Sequence, residues 1–232
     1  ITIFQHQLAS HASVVNNLSD IYCGDNSSLE IFKIIDEHDN GYHIDTQNIK
    51  LAKNSCLNLF ALDLGADISR TNINADLVEK NASININALF SSRKKLHIDN
   101  QIMIKHLAEE CFSSMDYRGI IRDNSTGVFG GTVYVDKNAQ KTQSDMTNRN
   151  LLLSDNARIN SKPVLEIYNE DVQCSHSATS GHLDYDKIFY IQSRGVCEKE
   201  ARDMLIQSFA DEFINKITNR RIRDAFQETI TQ

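Results

Sequence analysis

A cysteine and a histidine two residues apart, Cys174 and His176, have the side chains best suited to metal chemistry in this sequence. If the surrounding segment is a strand, the two side chains point the same way, because side chains alternate between its faces. A thiolate and a neutral imidazole are soft donors suited to iron–sulfur chemistry, zinc or copper. Two donors cannot complete a metal site, so further ligands would come from elsewhere in the chain or from a partner. The simpler alternative is that Cys174 is a small buried hydrophobe and His176 its hydrogen-bonded neighbour.

Short stretches of alternating apolar and polar residues occupy the sequence up to about Gly181. Residues 72–77 and 82–88 alternate in this way, and apolar residues also flank Tyr134 and Glu166. A period of two over a few residues predicts strands with one buried face.

Asparagine recurs between a charged and a small residue in the connections, at Asn54, Asn81, Asn138 and Asn156. Asparagine tolerates left-handed backbone geometry, so these positions predict tight corners. Many short strands, asparagine corners and few hairpin signals favour a mainly β solenoid of parallel strands. A β-sandwich is the structural alternative.

The period changes after Gly181, where three helices are predicted. The first runs from Leu183 to Arg194, the second from about Glu198 to Ile217, and the third from Arg220 to about Thr229. The second helix carries an apolar stripe at four-residue steps, formed by Ala201, Leu205, Phe209, Phe213 and Ile217. Its simpler interpretation is a cap over the open end of the solenoid, and its functional interpretation is a docking site for a partner.

Composition and missing motifs exclude several classes of protein. With 41% hydrophobic and 24% charged residues, the chain can bury a core, and its net charge of −7 disfavours nucleic-acid binding. No apolar run is long enough to span a membrane, and five widely spaced cysteines suit a reducing cytosol. The sequence has no phosphate-binding loop, no G-x-G-x-x-G motif for dinucleotides, no H-E-x-x-H zinc-binding helix and no C-x-x-C pair. A non-enzymatic role is therefore expected.

A series of motifs in one order resembles the SufB/SufD family of iron–sulfur assembly scaffolds. The motifs are Tyr117-Arg-Gly-Ile120, Asp123, Gly127-Val-Phe-x-Gly131, Gln140-Lys-Thr142, the run Asn148–Ala157, Lys162-Pro-x-Leu-Glu-Ile167 and Phe189-Tyr-x-x-Ser-Arg-Gly195. The segment Cys174-Ser-His-Ser-Ala-Thr179 is similar to the SufD branch, with Ser177 in place of the usual glycine.

The resemblance implies a right-handed parallel β-helix over residues 1–182 and a C-terminal helical segment over 183–232. It implies pairing with SufB through the β-helix, a homodimer in isolation, and docking of the ATPase SufC through the helices, for which Phe209, Phe213 and Ile217 are the candidate residues. It also implies a transient iron–sulfur cluster shared with SufB, with Cys174 and His176 as candidate cluster-assembly residues. Because the two share parity with Val172 and Ala178, the pair is expected to face either the coil interior or a dry contact. The first residues include no initiator Met, so the chain is expected to be a C-terminal fragment that lacks the family's N-terminal helical portion.

Two other classes remain open at this point. One is a purely structural, self-associating β-solenoid. The other is a carbohydrate-active β-helix enzyme, which the absence of tryptophan and of an export signal disfavours.

Overall fold

The computed structural model describes residues 1–9, 11–37 and 40–231, and this part of the chain forms thirteen β-strands followed by three α-helices. The strands are β1 (Thr2–Leu8), β2 (Val14–Cys23), β3 (Ser28–Asp36), β4 (Tyr42–Leu51), β5 (Cys56–Asp63), β6 (Ile68–Leu77), β7 (Ser83–Ser92), β8 (His97–His106), β9 (Phe112–Ile121), β10 (Thr126–Val135), β11 (Thr142–Leu152), β12 (Arg158–Ile167) and β13 (Val172–Gly181). The helices are α1 (Tyr185–Gln192), α2 (Glu198–Ile214) and α3 (Arg220–Thr231). Within the described residues, no helix is long and apolar enough to cross a lipid bilayer.

Successive strands alternate between two parallel sheets, so the chain coils. Sheet A contains the seven odd-numbered strands in order, and sheet B contains the six even-numbered strands. Equivalent residues of successive coils stack in register: Ile31 pairs with Leu59, Leu59 with Ile86, and Ile86 with Met115. The predicted parallel β-helix is confirmed, and the β-sandwich alternative is wrong.

The space between the two sheets holds the main core. Ile73, Ala75 and Leu77 on sheet B face Ile84 and Ile86 on sheet A, and all five side chains are buried in one cluster. Their polar neighbours point outward, as the period of two predicts.

Several corners use left-handed asparagine, and its side chains form a ladder. Asn54 and Asn81 have φ values of 55° and 59°, as predicted. The Asn81 amide donates to Asn54 Oδ1 at 3.1 Å, and the Asn54 amide donates to Asn26 Oδ1 at 2.9 Å. Asn138 and Asn156 also lie in turns, but neither has a positive φ. The prediction of left-handed geometry at these two positions is therefore wrong.

The helices cover the outer face of sheet A rather than an end of the coil. Phe32 and Phe60 on that face stack with ring centroids 5.2 Å apart, and Phe213 of α2 and Phe226 of α3 pack against them. The outward rows of β3 and β5 carry the apolar residues Phe32, Ile34, Phe60 and Leu62, which need a cover, and the apolar stripe of α2 supplies one. The prediction that the helices hide the open end of the solenoid is therefore wrong.

The helices begin where the sequence predicts a change of period. The last strand ends at Gly181 and α1 begins at Tyr185. Helix α2 ends at Ile214 rather than Ile217, but Ile217 is still buried in the helix–sheet cluster. The division into units at 182 and 183 stays a prediction, since the two parts share this cluster.

Candidate functional site at the open end of the coil

Cys174 and His176 belong to the inward row of β13, the last strand of sheet A. Cys174 is in register with Ser144 and His176 with Met146 on β11. Ser144 and Met146 point between the sheets and are buried, so the two β13 side chains take the same direction one coil further on. Cys174 packs on the edge of the main core.

The two side chains are accessible because the coil ends there. Strand β13 is the last strand of sheet A and β12 the last of sheet B, with no further strand on either among the described residues. Cys174 is half-buried and His176 is exposed. The expectation that the pair faces the coil interior or a dry contact stays a prediction for the complex, and in the chain alone both side chains are accessible. A depression of about 350 Å³ opens beside Cys174, bordered by Phe112 and Ser144.

A buried hydrogen-bonded column lies directly behind Cys174. The His106 Nε2 atom and the Ser113 hydroxyl share a hydrogen bond of 2.8 Å, and the Ser113 and Ser144 hydroxyls share another of 2.8 Å. Ser113, Ser144 and Cys174 occupy one register position on three successive coils of sheet A. Burial raises the pKa of Cys174, while a backbone hydrogen bond from Ser144 lowers it, and the net shift is upward. The thiol is therefore protonated until a metal or a partner changes its surroundings.

This hydrogen-bonded column was not predicted from the sequence, although the spacing of its residues along the chain could have revealed it. Ser113, Ser144 and Cys174 recur at the spacing of one coil, and residues at that spacing stack on the same face of a parallel solenoid. Reading the sequence in steps of one coil would have placed Ser144 beneath Cys174.

The donor set is incomplete within this chain. Among the described residues, no group of three or more His, Cys, Asp and Glu side chains lies close enough to hold a metal ion. All five cysteines are free: Cys23 and Cys111 are buried, Cys56 and Cys174 are half-buried, and Cys197 is exposed at the start of α2. Cys174 and His176 can therefore offer one sulfur and one nitrogen, and a second chain would have to supply the rest.

The residues proposed for partner docking lie mostly inside the helix–sheet contact. Phe213 and Ile217 are buried, and Phe209 is half-buried with the Arg118 guanidinium 5.5 Å from its ring centre. The Arg118 guanidinium also donates to Glu212 of α2 at 2.7 Å. These contacts attach α2 to sheet A, so Phe213 and Ile217 present no surface to a partner in this conformation.

Helix α1 carries the accessible aromatic surface instead. Tyr185 and Phe189 are each 73% exposed and Tyr190 is 60% exposed. Tyr185 and Phe189 are four residues apart and so lie on one side of the helix. Ile188, which lies between them in the sequence, is buried against Leu183 and Ala201. We call Tyr185, Phe189 and Tyr190 the α1 aromatic face.

The fold and the site together define a parallel β-solenoid with an incomplete set of soft donors at its open end. Residues 1–209 match the family described as "SUF system FeS cluster assembly, SufBD core domain". The chain belongs to this family, and the resemblance to SufB/SufD proteins is confirmed.

Three relatives show how much of the chain the similarity covers. It is 32% identical to "Iron-sulfur cluster assembly protein SufD" of Escherichia coli over 207 residues, which are 89% of this chain and 49% of the relative. It is 33% identical over 220 residues to an iron–sulfur cluster assembly SufBD family protein of Synechocystis, covering 93% of this chain and 48% of the relative. The SufD protein of Bacillus subtilis is 30% identical over 99 residues, 43% of this chain and 23% of the relative. The chain spans about half the length of the first two relatives.

Proposed function

We propose that this chain is a non-enzymatic scaffold subunit for iron–sulfur cluster assembly in the cytosol. In this role it pairs with SufB through the open end of the coil and docks the ATPase SufC through the C-terminal helices. The observation that carries the proposal is the position of Cys174 and His176 on the inward row of the terminal strand, where a second chain can reach them.

The open end is suited to pairing with another chain. A terminal strand presents unpaired backbone N–H and C=O groups, and proteins normally cover such an edge. Both β12 and β13 are terminal in their sheets, so one partner coil can extend both. In the absence of SufB, two copies of this chain can use the same edge around a two-fold axis and form a homodimer.

The assembled cluster is cargo that passes through this contact. Cys174 and His176 provide ligands from one side, and SufB provides the remaining thiolate from the other. The raised pKa of Cys174 keeps the thiol neutral in the free chain, because burial disfavours the thiolate. Coordination to iron would release the proton.

Cluster formation in the reconstituted complex with SufB and SufC tests this role. His176→Ala should lower the cluster yield, measured by visible absorption under anaerobic conditions, while SufB still co-elutes in gel filtration. Ser177→Ala is the matched control, because Ser177 lies on the same strand, is exposed, and its hydroxyl donates to the Thr147 hydroxyl at 3.3 Å. A normal yield from His176→Ala in an intact complex would reject a ligand role.

We place the SufC contact on the α1 aromatic face. Three of the eight residues of α1 are exposed aromatic side chains, and Tyr185 and Phe189 on one side of the helix offer a partner an apolar contact surface. Aromatic residues are also enriched where proteins bind one another. The buried Phe213 and Ile217 then have an indirect role, since they fix the helices on sheet A.

Substituting an exposed aromatic residue of α1 by a polar one distinguishes a role in SufC binding from a role in packing the helices on sheet A. Phe189→Ser should weaken SufC binding in a titration by about tenfold or more, with little change in the unfolding midpoint, because the ring is exposed. Met204→Ser on α2 is the control, since Met204 is 54% exposed but lies outside the α1 aromatic face. Equal SufC affinity for Phe189→Ser and the unmodified chain would remove this face from the proposal.

A further inference from the structure

A cleft separates part of the helical layer from the outer face of sheet A. Its volume is about 310 Å³, which is at the lower end of the range for small-molecule sites. Leu89 and Ile120 form its floor on the sheet, and Ile206 and Ile230 close it from α2 and α3. Polar side chains occupy the rim, so the cleft has an apolar base and a hydrophilic mouth.

Two arginines on adjacent coils stand at this mouth. The backbone N–H of Arg122 donates to Ser92 O at 3.0 Å, so Arg122 and Arg93 leave neighbouring strands at the same corner. Backbones of paired strands are about 4.8 Å apart, so the two side chains start from the same corner of the cleft. The exposed Arg122 side chain has no hydrogen-bond or salt-bridge partner among the described residues. Asp203 of α2 also borders the cleft, and among the described residues it forms no salt bridge with Arg122.

We propose that this cleft binds a small amphipathic anion. The apolar part of the ligand, on the order of ten carbon atoms for this volume, lies on Leu89, Ile120 and Ile206. Its anionic head, a carboxylate or a phosphate, is held at the mouth by the guanidinium of Arg122. A guanidinium suits both heads because its N–H groups match pairs of oxygen atoms.

Such a ligand would contact both layers of the protein. The cleft is bordered by α2, α3 and sheet A, so an occupant joins the helices to the coil. A ligand that binds only the folded arrangement stabilises it by mass action. Occupancy would therefore hold the helical layer in the position seen here. This site is separate from Cys174 and His176, and its test does not depend on the role in cluster assembly.

The probes are decanoate and decyl phosphate, titrated into the full chain with labelled isoleucine δ-methyl groups. Saturable NMR shifts are expected at Ile120, Ile206 and Ile230, which border the cleft. Decanol, which lacks the charge, should bind at least about tenfold more weakly, since hydrogen bonds to charged groups are the strong ones. The head group that binds more tightly identifies the carboxylate or the phosphate as the preferred class. Shifts confined to isoleucines at the ends of the coil, such as Ile3 and Ile167, would overturn the proposal.

Variants at the mouth provide the second measurement. Arg122→Gln should weaken decanoate binding at least about tenfold, while Arg122→Lys should keep part of the affinity because the charge remains. Arg158→Gln is the matched control, because Arg158 is an exposed arginine at another corner, outside the cleft. Equal affinity of Arg122→Gln and Arg158→Gln for decanoate would reject the anion site.

Discussion

Replacing His106 by Gln should remove the part of the acid sensitivity of this protein that comes from that buried imidazole. His106 is fully buried, and burial lowers its pKa from 6.5 to about 4. Between these values the unfolded chain binds a proton that the folded chain does not, so the folded state loses stability as the pH falls. The difference of about 2.5 pKa units corresponds to a total loss of about 3 kcal/mol, of which about 2.5 kcal/mol is reached at pH 4.5.

Urea unfolding at pH 7.5 and pH 4.5 measures this effect. His106→Gln should be less stable than the unmodified chain at pH 7.5, because Gln replaces a ring bonded to the Ser113 hydroxyl. Between the two pH values, its free energy of unfolding should fall by about 2.5 kcal/mol less than that of the unmodified chain. His97→Gln is the control, since His97 lies on the same strand and is only half-buried. An identical fall for His106→Gln and the unmodified chain would refute the reasoning.

Three further substitutions test the packing, each by the free energy of unfolding in urea. Lys33→Met should destabilise the fold by about 3–5 kcal/mol, because it leaves the buried Asp45 carboxylate without the ammonium group 2.6 Å away; adding Asp45→Asn should recover much of the loss. Phe213→Ala should cost about 3–5 kcal/mol by opening a cavity under α2. Gly119→Ala should cost about 1–3 kcal/mol, since its new methyl group would lie 2.5 Å from the Phe90 ring. A cost below about 0.5 kcal/mol in any of the three would contradict the packing described for that residue.

The strands could be predicted from local pattern because each has one face in a continuous apolar core. Ile84 and Ile86 point into that core and their polar neighbours point out, which is the period of two read from the sequence. Corners were harder to predict. Lys94, Glu110 and Lys141 adopt left-handed geometry that their residue types do not favour. Stacking of adjacent coils imposes that geometry, and no local signal reveals it.

The helices and the candidate site show a second limit of prediction from the sequence. The apolar stripe of α2 predicts a buried face, but its partner is the outer row of sheet A at Phe32 and Phe60. This outer row can be recognised in the sequence only if apolar residues are noticed on both faces of β3 and β5, such as Ile31 and Leu59 inward and Phe32 and Phe60 outward. For the site, the spacing of Cys174 and His176 predicts a shared direction. Their exposure depends on β13 being the final strand, which is a property of the whole coil.

Hydrogen–deuterium exchange of β13 tests the central claim most directly. The amides of β13 (Val172–Gly181) should become protected when SufB is added, because a partner coil covers the open edge. Amides of β2 (Val14–Cys23), a terminal strand of sheet B at the other end of the coil, serve as the internal control and should keep their exchange rates. Protection that appears elsewhere while β13 exchanges as fast as in the free chain would contradict completion of the Cys174 and His176 site by a second subunit.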